Sequence, residues 1–123
     1  MTSENSPAPS KCLSLENLQK RIFKEFLDVL IIDELKEKVS LSGYDLAVLQ
    51  QSKFSFALSP GTIYATLYML ERRGLIKGYS SSRKTTFTLT AAGEKAHENL
   101  KNSTFELFEF MKCLFPNVNY DKP

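Results

Sequence analysis

A chain of 123 residues with 42% hydrophobic and 24% charged side chains has the length and make-up of one globular domain with a modest core. No apolar run approaches the ~20 residues of a membrane-spanning helix, so a membrane protein is excluded; the polar N-terminus has no signal-like apolar region, so export is not expected and the cytoplasm is the expected location. The net charge of +2 is small but unevenly placed: residues 1–52 carry −2, residues 53–84 carry +5 and residues 85–123 carry −1. Such local concentration is what phosphate binding requires, because charges farther apart than ~10 Å are screened in ordinary salt.

In chain order, residues 1–12 are polar and proline-containing and read as a disordered arm. Ser14 is a helix N-cap, with Leu13 and Leu18 placed to staple across it. No glycine or proline interrupts residues 15–38, which form either one long helix or two with a break near Phe23. Leu18, Ile22, Phe26, Val29 and Ile32 or Asp33 trace one face; Phe23, Leu27 and Leu30 widen it. A segment this apolar needs cover on more than one side, which a small monomer would not supply.

A second helix opens at Ser42, where Asp45 completes a capping box, and runs to about Lys53, with Leu41, Tyr44, Leu46 and Leu49 as core positions. Phe54 to Leu58 is a loop expected to pack beneath the next helix. That third helix has Ser59 at the cap, Pro60 at its first position and Leu58 stapling to Ile63. Ile63, Leu67 and Leu70 face the core, and Gly74 stands where a left-handed stop is wanted. Thr62, Thr66, Met69, Arg72 and Arg73 lie on the outer face. Two short strands follow, Leu75 to Tyr79 and Thr85 to Leu89, joined by a polar turn tipped with Arg83 and Lys84. A reading helix followed by a hairpin with a basic tip is the layout of a winged helix that binds DNA.

Thr90 caps a last helix to about Phe115, stopped by Pro116. Leu100, Leu107 and Leu114 recur at seven residues, with Ala96, Ser103 and Phe110 between them and Phe105, Phe108 and Phe115 alongside. This reads as a dimerisation helix that packs with the first helix of both subunits; the alternative is a helix folded back on its own domain.

The sequence resembles the PadR-like transcriptional regulators. The resemblance rests on Ser42-Gly43-Tyr44-Asp45-Leu46, Ser59-Pro60-Gly61-Thr62-Ile63-Tyr64, Leu70-Glu71-Arg72-Arg73-Gly74-Leu75-Ile76 and Leu89-Thr90-Ala91-Ala92-Gly93, in the family's order and spacing over roughly residues 26–93. Ala65 departs from the proline frequent after the family's tyrosine, and the wing lacks the usual run of arginines. The resemblance implies a Tyr64 hydroxyl that bonds phosphate, and small aromatic or hydrophobic effectors, of unreadable identity here, held in a dimer groove.

The expected architecture is therefore mainly α, an α+β winged helix. It has a three-helix helix-turn-helix core, a two-stranded β wing and a long C-terminal dimerisation helix. Its parts are the arm (1–12), the winged helix with an extended first helix (13–90), the dimerisation helix (91–116) and a tail (117–123). The expected function is sequence-specific regulation of transcription, as a repressor, by a homodimer on an inverted repeat in double-stranded DNA. A winged helix used as a protein-interaction module is the alternative.

Candidate DNA contacts fall into three groups. The start of the Ser59 helix, with Gly61, would hold a phosphate through its backbone N–H groups. Thr62, Ala65, Thr66 and Met69 would touch base edges, and Tyr64 and Tyr68 would either bond phosphates or pack half-buried. Arg83 and Lys84 would reach the flanking backbone or minor groove, with Lys53, Arg72 and Lys77 as further phosphate contacts; Arg73 would instead satisfy carbonyls at the helix end. Dimer contacts are expected at Leu18, Ile22, Phe26, Leu100, Leu107, Phe110 and Leu114. No enzyme, metal or cofactor is expected: the lone His97 reads as solvated, and Asp33, Glu34 and Glu37 have no histidine or cysteine to form a metal site or an acid-base pair. Cys12 and Cys113 read as free thiols, with pairing across a dimer as the minor alternative.

Overall fold

Capping chemistry sets where each helix of this chain begins. The computed structural model describes residues 12–117, so the expected arm, apart from Cys12, and the tail, apart from Asn117, lie outside the described residues. The described elements are α1 (Leu15–Glu25), α2 (Leu27–Lys38), β1 (Leu41–Ser42), α3 (Gly43–Phe54), α4 (Pro60–Arg72), β2 (Ile76–Ser80), β3 (Thr85–Leu89), α5 (Ala91–Asn102) and α6 (Thr104–Leu114). Ser14, Ser42, Ser59 and Thr90 each accept a hydrogen bond from the backbone N–H three residues on, as read from the sequence. The capping box at α3 is complete: Asp45 N–H donates to Ser42 Oγ at 3.1 Å, and Ser42 N–H donates to Asp45 Oδ2 at 3.1 Å. The Ser42 bonds hold the Asp45 carboxyl below its usual range, with Lys84 adding a smaller pull in the same direction. Leu13, by contrast, is 69% exposed.

The break in the first helical stretch falls at Phe26, three residues beyond the expected position. Phe26 has φ −102° and ψ 20°, and serves as both the C-cap of α1 and the N-cap of α2. The bend lets α1 and α2 bury different rows. Phe23 is buried, its ring 5.2 Å from that of Phe54 and 5.5 Å from that of Phe56. Leu27, Ile31, Ile32 and Leu35 of α2 enter the main core. The row through Ile22 and Phe26 is the exposed one, 50% and 42% accessible. The two aromatics of the stretch expected beneath α4 thus pack on α1, while Leu58 of the same stretch packs against the core that holds the inner row of α4.

After α2 the chain reverses through Val39 (φ 75°, ψ −51°), a γ-turn closed by Ser40 N–H on the Lys38 carbonyl. That conformation costs a β-branched residue ~1–3 kcal/mol and delivers Leu41 directly into the sheet. The sheet has three strands, in order β1-β3-β2, all antiparallel. The two-residue strand β1 was not visible in the sequence. It pairs Leu41 with Phe87 and Ser42 with Thr86, and so ties the start of α3 to the wing. β2 begins at Ile76, one residue later than expected, and pairs Gly78 with Phe87.

The core joins α2, α3, α4 and the sheet through Leu46, Ile63, Leu67, Leu70, Ile76 and Phe87, each almost wholly buried. Burial of each such side chain stabilises by ~1.5–3 kcal/mol. Tyr44, expected in the core, is 74% exposed. The reason is phase: Leu46 and Gln50 form the buried row of α3, and Tyr44, two residues before Leu46, points elsewhere.

The last helix is also broken. Ser103 (φ −102°, ψ 2°) separates α5 from α6, its N–H shared between the carbonyls of Asn99 and Leu100. Thr104 Oγ1 bonds back to the Leu100 carbonyl at 3.0 Å. The run Asn102-Ser103-Thr104 supplies three short polar side chains that compete for backbone groups, and this ends the helix. Two side-chain contacts bind α5 to α2: an ion pair of Lys36 with Glu94 at 2.7 Å, which raises the lysine pKa chiefly through its hydrogen bond to that carboxylate, and a hydrogen bond between His97 Nε2 and Asp33 Oδ1 at 3.1 Å. His97 is therefore an interhelical partner, 18% exposed, and not a solvated side chain as expected.

Candidate nucleic-acid interface

The features that stand out of this fold are the outer face of α4 and the wing beside it. Ser59 Oγ accepts the Thr62 N–H at 3.2 Å and also lies 2.9 Å from Thr62 Oγ1. With Pro60 at the first position and no acidic side chain in the first turn, this helix end keeps its positive pole uncompensated. Ile63, Leu67 and Leu70 anchor the inner face, which leaves Gly61, Thr62, Ala65, Tyr68 and Arg72 exposed. Thr66 is half-buried, and its hydroxyl donates to the Thr62 carbonyl at 3.0 Å, which leaves its oxygen free as an acceptor. Met69 is half-buried and packed against the core, not on the open face where its spacing had placed it.

Tyr64 lies on Gly43, the first residue of α3: a Cβ there would stand 2.5 Å from its Cζ and 2.7 Å from its hydroxyl oxygen. Its ring centre is 6.0 Å from that of Tyr68. With glycine at this position the tyrosine can lie directly on the start of α3; an added side chain would make its far end swing aside.

The wing turn is closed by Ser81 N–H and Ser81 Oγ, both donating to the Lys84 carbonyl, at 2.8 and 3.1 Å. Ser80 and Thr85 hydroxyls meet across its base at 3.1 Å. Arg83 and Lys84 at this tip are exposed. Between α4, the wing and the start of α3 lies a cleft of about 700 Å³, lined by Tyr44, Asp45, Tyr64, Tyr68, Glu71, Arg83 and Lys84 among others. Lys77 is exposed on β2, its ammonium 5.5 Å above the Tyr79 ring. Arg73 takes the C-cap position of α4 and lines a separate small groove with Asp28, Leu70 and Leu75.

Lys53 is not brought to this surface. Its ammonium is 3.3 Å from Oε2 of Glu34, a carboxylate whose side chain is only 4% exposed. It stands at the edge of a different groove, an apolar one between α1 and α6 of about 690 Å³, whose walls include Ile22, Phe26, Leu107, Phe108 and Met111. The expected dimer residues divide by exposure. Leu18 and Leu100 are half-buried; Ile22, Phe26, Leu107, Phe110 and Leu114 are exposed.

Sequence reasoning did not single out Tyr44, Gly43, Asp45 or Glu71 as parts of this surface. The phase of α3 was the available signal for Tyr44; the other three depend on which elements meet. Both cysteines are exposed thiols, and no group of three or more His, Cys, Asp or Glu among the described residues is placed to hold a metal.

A helix-turn-helix whose last helix presents an open polar face, followed by a hairpin with a cationic tip, is a winged helix of the transcription-regulator class. The sequence profile of the transcriptional regulator PadR-like family matches residues 31–99, more than half of the chain, and the protein belongs to that family. No curated protein sequence matches it significantly. Among solved structures it is similar to a PadR family regulator of Clostridium difficile (26% identity, 75% of this chain and 99% of that one, TM-score 0.60). A PadR family regulator of Eggerthella lenta shares the fold at 16% identity, over 90% of this chain and all of that one, with a TM-score of 0.69. Bacillus subtilis PadR, solved in complex with operator DNA, is 26% identical over 59% of this chain and 45% of that one, with a TM-score of 0.52.

Proposed function

We propose that this protein is a sequence-specific DNA-binding repressor that acts as a homodimer on an inverted repeat. The observation that carries the reading is the convergence of two features on one side of the fold: the open face of α4, with its uncompensated N-terminus, and the cations at the wing tip. The operator complex of the similar Bacillus subtilis protein supports it. Backbone N–H groups at the start of α4 hold a phosphate, Thr62, Ala65 and Thr66 meet base edges, and Arg83 and Lys84 hold the flanking backbone. Tyr68 and Arg72, exposed on the same face, add backbone contacts, and Lys77 adds a further one from the wing. Tyr64, stacked on Gly43, is fixed for a single hydroxyl-phosphate bond.

The experiment is a titration of DNA from upstream of its own gene across salt concentrations. Arg83→Ala with Lys84→Ala should weaken binding on every sequence and make the salt dependence shallower by about two units. An unchanged slope would remove the wing from the interface, and no binding by the wild-type chain would leave a protein-interaction module in its place.

Dimerisation is supported by α6, whose Phe105, Phe110 and Leu114 are 73%, 61% and 57% exposed, more apolar surface than a water-facing helix carries. A second copy that covers α6 and the α1 groove would hold two α4 helices about one DNA turn, ~34 Å, apart. That apolar groove is also where a hydrophobic effector would enter. Leu107→Glu with Phe110→Glu should sediment as a single subunit and lose the operator. A wild-type chain that is already monomeric at working concentration would remove the inverted repeat from the account.

A further inference from the structure

Glu71 stands where electrostatics opposes an anion. It is the one acidic side chain among residues 53–84, in a segment of net charge +5. It lies in the last turn of α4, where the helix dipole favours a cation. It is exposed and lines the same cleft as Arg83 and Lys84, and among the described residues no lysine, arginine or histidine forms an ion pair with it. What the carboxylate does hold is the wing: Oε2 accepts the N–H of Gly78 at 3.1 Å. Gly78 sits at the middle of β2, an edge strand of the sheet, and that N–H is turned away from β3 toward α4.

Gly78 is crowded on the β3 side and just meets Glu71 on the α4 side. A Cβ there would stand 3.0 Å from Phe87 Cε1, 3.2 Å from Thr85 Cγ2 and 3.4 Å from Glu71 Oε2. The crowding comes from Phe87 and Thr85 of the neighbouring strand β3, whereas Glu71 Oε2 lies just at contact distance from that position and faces the Gly78 N–H. The carboxylate then supplies the bond that an edge strand otherwise lacks, at mid-strand, between the helix and the cationic tip.

We infer that Glu71 is a positioning residue for DNA binding, a clamp that sets the angle of the wing against the reading helix so that Arg83 and Lys84 reach phosphate. The inference rests on the function proposed above. Its cost is a negative charge close to the DNA, and this separates its two effects. Glu71→Gln keeps an acceptor oxygen and removes the charge, whereas Glu71→Ala removes both.

The test uses the full chain and two readouts. Amide exchange at Gly78, followed by NMR without DNA, should stay protected in the wild type and in E71Q, and become on the order of tenfold faster in E71A. On DNA from upstream of its own gene, E71Q should keep the wild-type salt slope with equal or tighter binding. E71A should bind more weakly, with a slope shallower by about two units, as if the wing cations were gone. Unchanged Gly78 exchange in E71A, or E71A and E71Q that behave alike on DNA, would overturn the clamp. Gly78 exchange that responds as expected in a wild-type chain that binds no DNA would overturn the DNA reading, and the positioning role with it, while the helix-wing bond itself stood.

Discussion

Gly93→Ala should destabilise this protein by about 3 kcal/mol and lower its melting temperature by roughly 10 °C or more. The sign is opposite to the usual one. Inside a helix, alanine for glycine normally stabilises by ~0.5–1 kcal/mol through the smaller entropy of the unfolded chain. Gly93, however, lies in the first turn of α5, pressed against the bend between α4 and β2. A Cβ there would run into the backbone carbonyl oxygen of Leu75 and stand 3.1 Å from Leu89 Cδ2. The carbonyl cannot yield cheaply, because it accepts the Thr90 N–H at 3.1 Å, and Thr90 Oγ1 in turn donates to the Gly74 carbonyl at 2.6 Å. Thermal and urea unfolding of the variant measure the effect. A melting temperature at or above the wild type would show that α5 is not seated on this bend. Gly43 offers an internal contrast, since its added Cβ meets only the far end of the Tyr64 side chain, which can swing aside.

Phe87→Ala should cost about 3–5 kcal/mol, enough to leave a domain of ordinary stability close to unfolding. Phe87 is 2% exposed on the central strand, paired with Leu41 on one side and Gly78 on the other. Its removal opens a cavity at the point where β1, the wing and the core of α2 and α4 come together. Urea denaturation should show the loss in the transition midpoint, and Phe87→Leu should recover most of it because little volume is then missing. A loss under about 1 kcal/mol would mean that the wing folds independently of the helical core.

The features legible in the sequence were those set by neighbours in the chain. Serine or threonine before a helical run, proline at its first position and glycine after it identified the starts of α1, α3, α4 and α5 and the end of α4, because a cap is satisfied within three or four residues. The core row of α4 followed from spacing alone, and so did the hairpin and its basic tip. The family resemblance rested on the same local segments and agrees with the profile match over residues 31–99.

The misses share a different cause. The bend at Phe26 involves no glycine or proline; it exists because Phe23 packs on Phe54 and Phe56 while Leu27 packs elsewhere. A two-residue strand such as Leu41–Ser42 has too short a pattern to read, and is a strand only because Phe87 and Thr86 lie opposite. Lys53 counted with the basic segment in the sequence, yet in space it answers the buried Glu34.

By itself, then, the sequence determined the helix boundaries that capping governs, the inward face of α4, the hairpin and the position of the positive charge. Each of these depends on interactions that span a few residues, so a linear reading suffices. Only the tertiary structure decided that Tyr64 rests on Gly43, that Glu71 reaches Gly78, that His97 meets Asp33 and that α6 stands apart from α5 with its aromatic side chains exposed. Those are contacts between elements, and they depend on how the packed core orients one helix against another, which no local spacing encodes.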